Sequence, residues 1–123
     1  MARIRSVHPG LFTDEAFVSL PMAARVLLIG VWTESDDHGI FEWKPLGLKM
    51  KIFPADAFTN EDVADLLGTL VSADCVVQFE VDGKSYGAVR NFCKWQRPKK
   101  PTYRHPFPNQ YRTYVGAAQE QAG

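Results

Sequence analysis

Cysteine is nearly missing from this chain. Cys75 and Cys93 are the only two in 123 residues, and they form no CxxC pair. That excludes a disulfide scaffold and suits a reduced compartment. Long hydrophobic runs are missing as well. The most apolar stretch, residues 26–32, is far too short to span a bilayer. No secretory signal opens the sequence, so a cytoplasmic protein with no membrane partner is expected. There is no GxxxxGK[ST] loop, which excludes a P-loop ATPase. His8, His38 and His105 are scattered, with no HxxxH or HxH spacing, so neither a metal nor another cofactor is expected. Internal repeats and low-complexity blocks are absent too.

Charge of one sign is missing from each of two long stretches. Residues 52–83 hold no Lys or Arg, but they hold Asp56, Glu61, Asp62, Asp65, Asp74, Glu80 and Asp82. Residues 83–119 invert this. They hold Lys84, Arg90, Lys94, Arg97, Lys99, Lys100, Arg104 and Arg112, and no acid. The formal net charge is zero, yet such sorting can give a neutral protein a positive face that attracts polyanions.

What is present fits one globular domain. The length is ordinary for a domain, and the apolar fraction of 46% and charged fraction of 23% are near the globular average. Residues 1–12 read as an extended arm carrying Arg3 and Arg5, with a turn at Pro9-Gly10. Thr13 reads as the N-cap of a short helix, and Ser19 and Pro21 open the next. MAARVLLIGVWTE is apolar nearly all round, as a central helix packed on several sides would be. Gly39 marks a turn, and residues 40–43 form a short strand. Pro45 starts a compact helix that ends before Pro54. Thr59 caps a third main helix, with Val63, Leu66, Leu67, Leu70 and Val71 on one stripe. VVQFEV and KSYGAV form a β-hairpin around Asp82-Gly83, a type I′ turn signal.

Helix, short strand, two helices and a β-hairpin make an α+β fold. The order is that of a winged helix-turn-helix: three main helices with a C-terminal hairpin wing. The expected division is an arm over 1–12, a winged-helix domain over 13–96 and an extended basic tail over 97–123, frayed in VGAAQEQAG.

Four segments add a resemblance. MARIRSVHPGLFTDEAF, ARVLLIGVWTESDDHGIFEWKP, LKMKIFPAD and VDGKSYGAVRNFCKWQRPKKPTYRHP are similar to small phage and prophage replication proteins. Those carry a winged helix like the N-terminal domain of replisome organisers and helicase loaders. The likeness covers roughly residues 1 to 108. Many members have an aromatic, a base, His-Gln and a basic-Pro tail after the wing. Here that pattern reads Phe92, Lys94, Trp95-Gln96 and Arg97-Pro98, with Trp in place of His. The resemblance implies DNA binding in replication initiation, with a replication protein such as a helicase as partner.

The third helix would normally read bases in the major groove. Its outward face is Asn60, Glu61, Asp65, Gly68, Thr69 and Ser72, and carboxylates there repel phosphates. Binding therefore falls to Arg3, Arg5, Lys44, Lys49, Lys51, Lys84, Arg90, Lys94, Arg97, Lys99, Lys100 and Arg104. Contact through these cations is sequence-tolerant and salt-sensitive. The rival reading is a protein–protein assembly module whose partner meets the acidic third helix, with a second copy of the chain also a candidate. A transcriptional regulator is a third. Asp36-Asp37-His38 lacks the rest of a catalytic constellation and reads as a turn in a non-enzyme. Phe92, Trp95, Trp32, Trp43 and Phe53 are expected to pack in the core, as is Cys75, with Cys93 partly exposed.

Overall fold

The computed structural model describes residues 2–117. The last part of VGAAQEQAG, residues 118–123, lies outside the described residues. The arm leads through a 3₁₀ turn, Pro9–Thr13, into helix α1, Glu15–Val18. The cap of α1 is Asp14, which accepts from the Phe17 N–H at 3.0 Å. Thr13, the expected cap, closes the preceding turn on the Gly10 carbonyl. Helix α2, Met22–Glu34, buries Ala24, Leu27, Leu28 and Val31. Its opposite side is open, with Met22 71% and Val26 50% exposed. Helix α2 packs against the third and fourth helices, as a helix packed on several sides would, and leaves this one side to solvent.

Strand β1, Ile40–Glu42, follows the turn at Gly39, whose φ is +86°. Next come α3, Pro45–Ile52, and α4, Asn60–Ser72. Thr59 and Asp62 close a reciprocal capping box at 2.8 and 3.0 Å, as the Thr-x-x-acid spacing allows. Along α4, Val63, Leu67 and Leu70 are buried, while Val71, at the edge of the stripe, is exposed. Strands β2, Val76–Val81, and β3, Lys84–Val89, form the hairpin, with Asp82 at φ 52° and Gly83 at φ 79°. Both are left-handed, as a type I′ turn demands. Two short helices complete the described chain: α5, Phe92–Trp95, and α6, Arg112–Val115.

The result is an α+β fold. Six helices and a small antiparallel sheet of order β1-β3-β2 are described. The central strand β3 pairs Gly87 with Phe41 on one side and with Gln78 on the other. A Cβ at Gly87 would overlap the buried Phe41 ring. Gly87→Ala should therefore cost about 1–3 kcal/mol through overpacking. Thermal unfolding checks this, and Phe41→Leu in the same chain should restore part of the loss.

The segment after Gln96 is not a tail leaving the domain. It runs back across the turn between α2 and β1, then caps the sheet. Val115 is fully buried, against Ile40, Phe79, Tyr86 and Ala88. Tyr111 stacks on Phe79 with ring centroids 4.7 Å apart. The Asn91 N–H donates to the Tyr114 carbonyl at 2.8 Å. Cationic composition suggested solvation, but Tyr111, Tyr114 and Val115 supply enough apolar surface to dock this stretch.

Candidate nucleic-acid interface

Asp36 and Asp37 follow the end of α2, and both are buried. Asp36 Oδ1 accepts from the N–H groups of His38 at 2.9 Å and Ile40 at 3.2 Å. That is the local turn expected of an Asp here. The other oxygen does something the sequence does not announce. Asp36 Oδ2 accepts from the backbone N–H groups of Arg104 at 3.1 Å and His105 at 3.0 Å. Asp37 Oδ2 accepts from the Thr102 N–H at 2.6 Å, and the Asp37 N–H donates back to the Thr102 carbonyl at 3.0 Å. Two adjacent carboxylates thus hold the backbone of residues 102–105.

The same Asp37 holds the N-terminal arm. Arg5 Nη1 donates to Asp37 Oδ1 at 2.6 Å, and Arg3 Nη1 bonds Asp37 Oδ2. Arg5 also donates to the carbonyls of Trp32 and Ser35, both at 2.8 Å, and lies over the Phe92 ring. Its side chain is 4% exposed. Burial would raise the Asp37 pKa, but the Thr102 N–H and the two guanidiniums outweigh it and hold the carboxyl below its ordinary value. Arg5 was expected among the phosphate contacts. Buried and fully bonded, it cannot reach a phosphate from this position. Arg3 is committed to the same carboxylate and to the Lys100 carbonyl, so it too serves the fold first.

The remaining cations differ. Lys94, Arg97, Lys99, Lys100 and Arg104 are all exposed. The backbone at Thr102, Arg104 and His105 is bonded to Asp36 and Asp37, and the charged side chains stay outside. Only Arg104 turns partly inward, toward the Glu34 carbonyl at 3.4 Å. Lys84 is exposed at the tip of the hairpin, and Lys51 is exposed at the end of α3 with Lys49 half-buried beside it. Arg90 lies 3.9 Å from Asp74. Lys44 pairs with Glu42 at 2.7 Å on the surface, a contact of little energetic weight.

Three of the sequence-selected cations do converge. Lys44, Lys51 and Arg104 line one groove of about 200 Å³ with His105. Glu34 and Glu42 line it as well, so its charge is mixed. Helix α4 presents Glu61, Asp62 and Asp65 to solvent, with no cation on the helix.

Trp95 corrects a further expectation. Phe92 packs in the core as expected, but Trp95 is 56% exposed, its ring 4.8 Å from that of His8. On the single turn of α5, Phe92 takes the inward position and Trp95 faces out. Gln96, next along, is buried, donating to the Ser6 carbonyl at 2.7 Å and accepting from the Ser6 N–H at 2.8 Å. Cys75 is buried, and burial pushes the Cys93 thiol up to about 11, so neither is poised as a nucleophile.

His38 sits between the rings of Tyr103, at 3.7 Å, and Phe107, at 4.0 Å. Its Nδ1 is buried without a hydrogen bond among the described residues. Burial lowers the pKa of His38 and of His105 below the ordinary 6.5, against the pull of Asp36. A histidine with a depressed folded pKa leaves stability intact above the unfolded value. Stability then falls as pH drops through 6.5 toward the folded pKa. The urea midpoint should therefore fall between pH 7 and pH 5. His38→Phe, which keeps the stack and cannot titrate, should reduce that fall.

Among the described residues no helix is long and apolar enough to cross a membrane, and no cluster of side chains is arranged to hold a metal. No family model, curated protein or solved structure matches the chain.

Proposed function

We propose that this protein is a winged-helix DNA-binding protein of the phage replication type, acting without catalysis and gripping phosphates by charge. The observation that carries the reading is the fixed basic rim. Lys94, Arg97, Lys99, Lys100 and Arg104 are exposed along a segment held near one end by Gln96 on Ser6 and at the other by the N–H groups of Thr102, Arg104 and His105 on two buried carboxylates. A pre-ordered row of cations loses little conformational freedom when it meets a phosphate backbone, unlike a loose tail. The element order and the β1-β3-β2 sheet support the winged-helix reading. The acidic outer face of α4 argues that this helix stays out of the major groove, so contact is largely indifferent to base sequence.

The same acidic face favours a second reading, assembly with a basic protein partner. A gel shift at low salt, run beside light scattering, separates the two. Retardation that vanishes steeply with salt supports DNA binding. A defined oligomer with no shift supports assembly.

A further inference from the structure

Two aromatic rings stand out of the segment that carries the basic rim. Trp95 is 56% exposed and Tyr103 is 53% exposed. Each sits beside a point where the segment is fixed. Gln96, next to Trp95, is clamped to Ser6 by paired hydrogen bonds. Tyr103 lies between Thr102 and Arg104, whose backbone N–H groups bond Asp37 and Asp36. Neighbouring rings steady them as well. Trp95 leans on His8, with the two planes tilted by 42°. Tyr103 lies flat on His38, only 6° from parallel. Phe107 covers the other side of His38, since two rings this close to one imidazole cannot share a face. Tyr103 is therefore the outer layer of a three-ring stack, and a fourth flat ring can extend that stack from solvent.

Between Trp95 and Tyr103 run Arg97, Lys99 and Lys100, with Pro98 and Pro101 keeping helix out of the stretch. All three cations are exposed, and none pairs with a carboxylate among the described residues. Asp37, to which the segment is bonded, is buried and already neutralised by Arg3 and Arg5. Glu34 and Glu42 lie at the far end, in the groove beside Arg104. The two rings make no continuous apolar patch, because the stretch between them is cationic, so a hydrophobic protein surface is a poor match. A duplex would meet the cations but keep its base faces stacked inside the helix. A strand with unpaired bases offers both matching parts, phosphates for the cations and flat bases for the rings.

We infer that the rim takes single-stranded nucleic acid in preference to duplex, with bases stacked on Trp95 and Tyr103 and the phosphates between them on Arg97, Lys99 and Lys100. The inference rests on the nucleic-acid reading above for the charge and on the two rings for the single strand. Stacking accepts every base, so the sequence stays unread. Both rings are already held, so little conformational freedom is lost when bases arrive.

The test uses anisotropy on the full chain at physiological salt with three probes. They are an oligodeoxythymidylate of about twelve nucleotides, an abasic sugar–phosphate strand of the same length, and a hairpin duplex with the same number of phosphates. The oligodeoxythymidylate should bind tightest, by about twentyfold over the abasic strand, the scale of two stacked bases. Trp95→Leu and Tyr103→Leu should each remove about fivefold of that advantage and leave abasic binding unchanged. Trp95→Phe and Tyr103→Phe, which keep a ring, should retain most of it. Tyr103→Leu also opens the His38 stack, so Trp95→Leu decides the point if that variant fails to fold. Equal affinities for the thymidylate and abasic strands, or a duplex that binds tighter than the thymidylate, overturn the inference and leave the basic rim standing. If no probe binds even at low salt, the nucleic-acid reading falls and this inference with it, including the case in which anionic phosphatidylserine vesicles bind instead.

Discussion

Asp37→Ala should lower the unfolding temperature by about 15 °C. Removing this carboxylate strands Arg5 in the interior with a charge and no counter-ion, and breaking a buried pair costs about 3–5 kcal/mol. For a domain of this size each kcal/mol moves the midpoint by roughly 4 °C. The Thr102 N–H and Arg3 lose the same acceptor, so both arms come loose together. Limited trypsin digestion offers a second readout, with new cleavage after Lys99 and Arg104. The cost belongs to the unpaired charge rather than to the bond itself. Replacing both partners, Arg5→Leu with Asp37→Leu, should therefore lose less than the sum of the single changes. A shift of under about 3 °C for Asp37→Ala would show that the arms are held some other way.

Neutralising Arg97, Lys99, Lys100 and Arg104 together, each to Gln, should weaken DNA binding by about a hundredfold at physiological salt. Each phosphate contact contributes about 0.7 to the salt slope on a single strand and about 0.9 on a duplex. Four lost contacts should flatten the slope by about three units. The loss should be the same for unrelated sequences, because phosphates carry no sequence information. The bonds from this segment to Asp36 and Asp37 come from the main-chain N–H groups of Thr102, Arg104 and His105, so the unfolding temperature should hardly move. Anisotropy against salt gives the answer, and an unchanged affinity and slope would remove the rim from the binding surface. The two variants dissect the same segment. Asp37→Ala releases the backbone and keeps the charge, while the fourfold change keeps the backbone and removes the charge.

Much of the fold is legible because its signals are local. The capping box at Thr59, the stripe through Val63, Leu67 and Leu70, and the Asp82-Gly83 turn each lie within a few residues. Short-range geometry decides such features. The reading of the Asp36 turn succeeds for the same reason.

The site is less legible, because its organising contacts join distant residues. Nothing near Arg5 says that it will bury itself on Asp37, and nothing near Thr102 says that its backbone will bond there. Arg3, Arg5 and Arg104 look alike as free cations. Only the packed chain separates the two that neutralise a buried carboxylate from the one left at the surface. A pair of adjacent acids between a core helix and a buried strand was the available hint, since acids in such a place need partners. Trp95 is the reverse case. Composition favours burying an aromatic, yet Trp95 stays 56% exposed beside His8 while Phe92, three residues before it, is buried.

The sequence by itself determined the elements from α1 to the β2–β3 hairpin, their order and the sorting of charge into an acidic middle and a basic end, but not α5 or α6. Period and capping chemistry act over a few residues and do not wait for the rest of the chain. Only the tertiary structure decided which charges remain outside. A buried carboxylate takes whichever donors the packed fold brings to it, and at Asp36 and Asp37 those donors lie about thirty to seventy residues away.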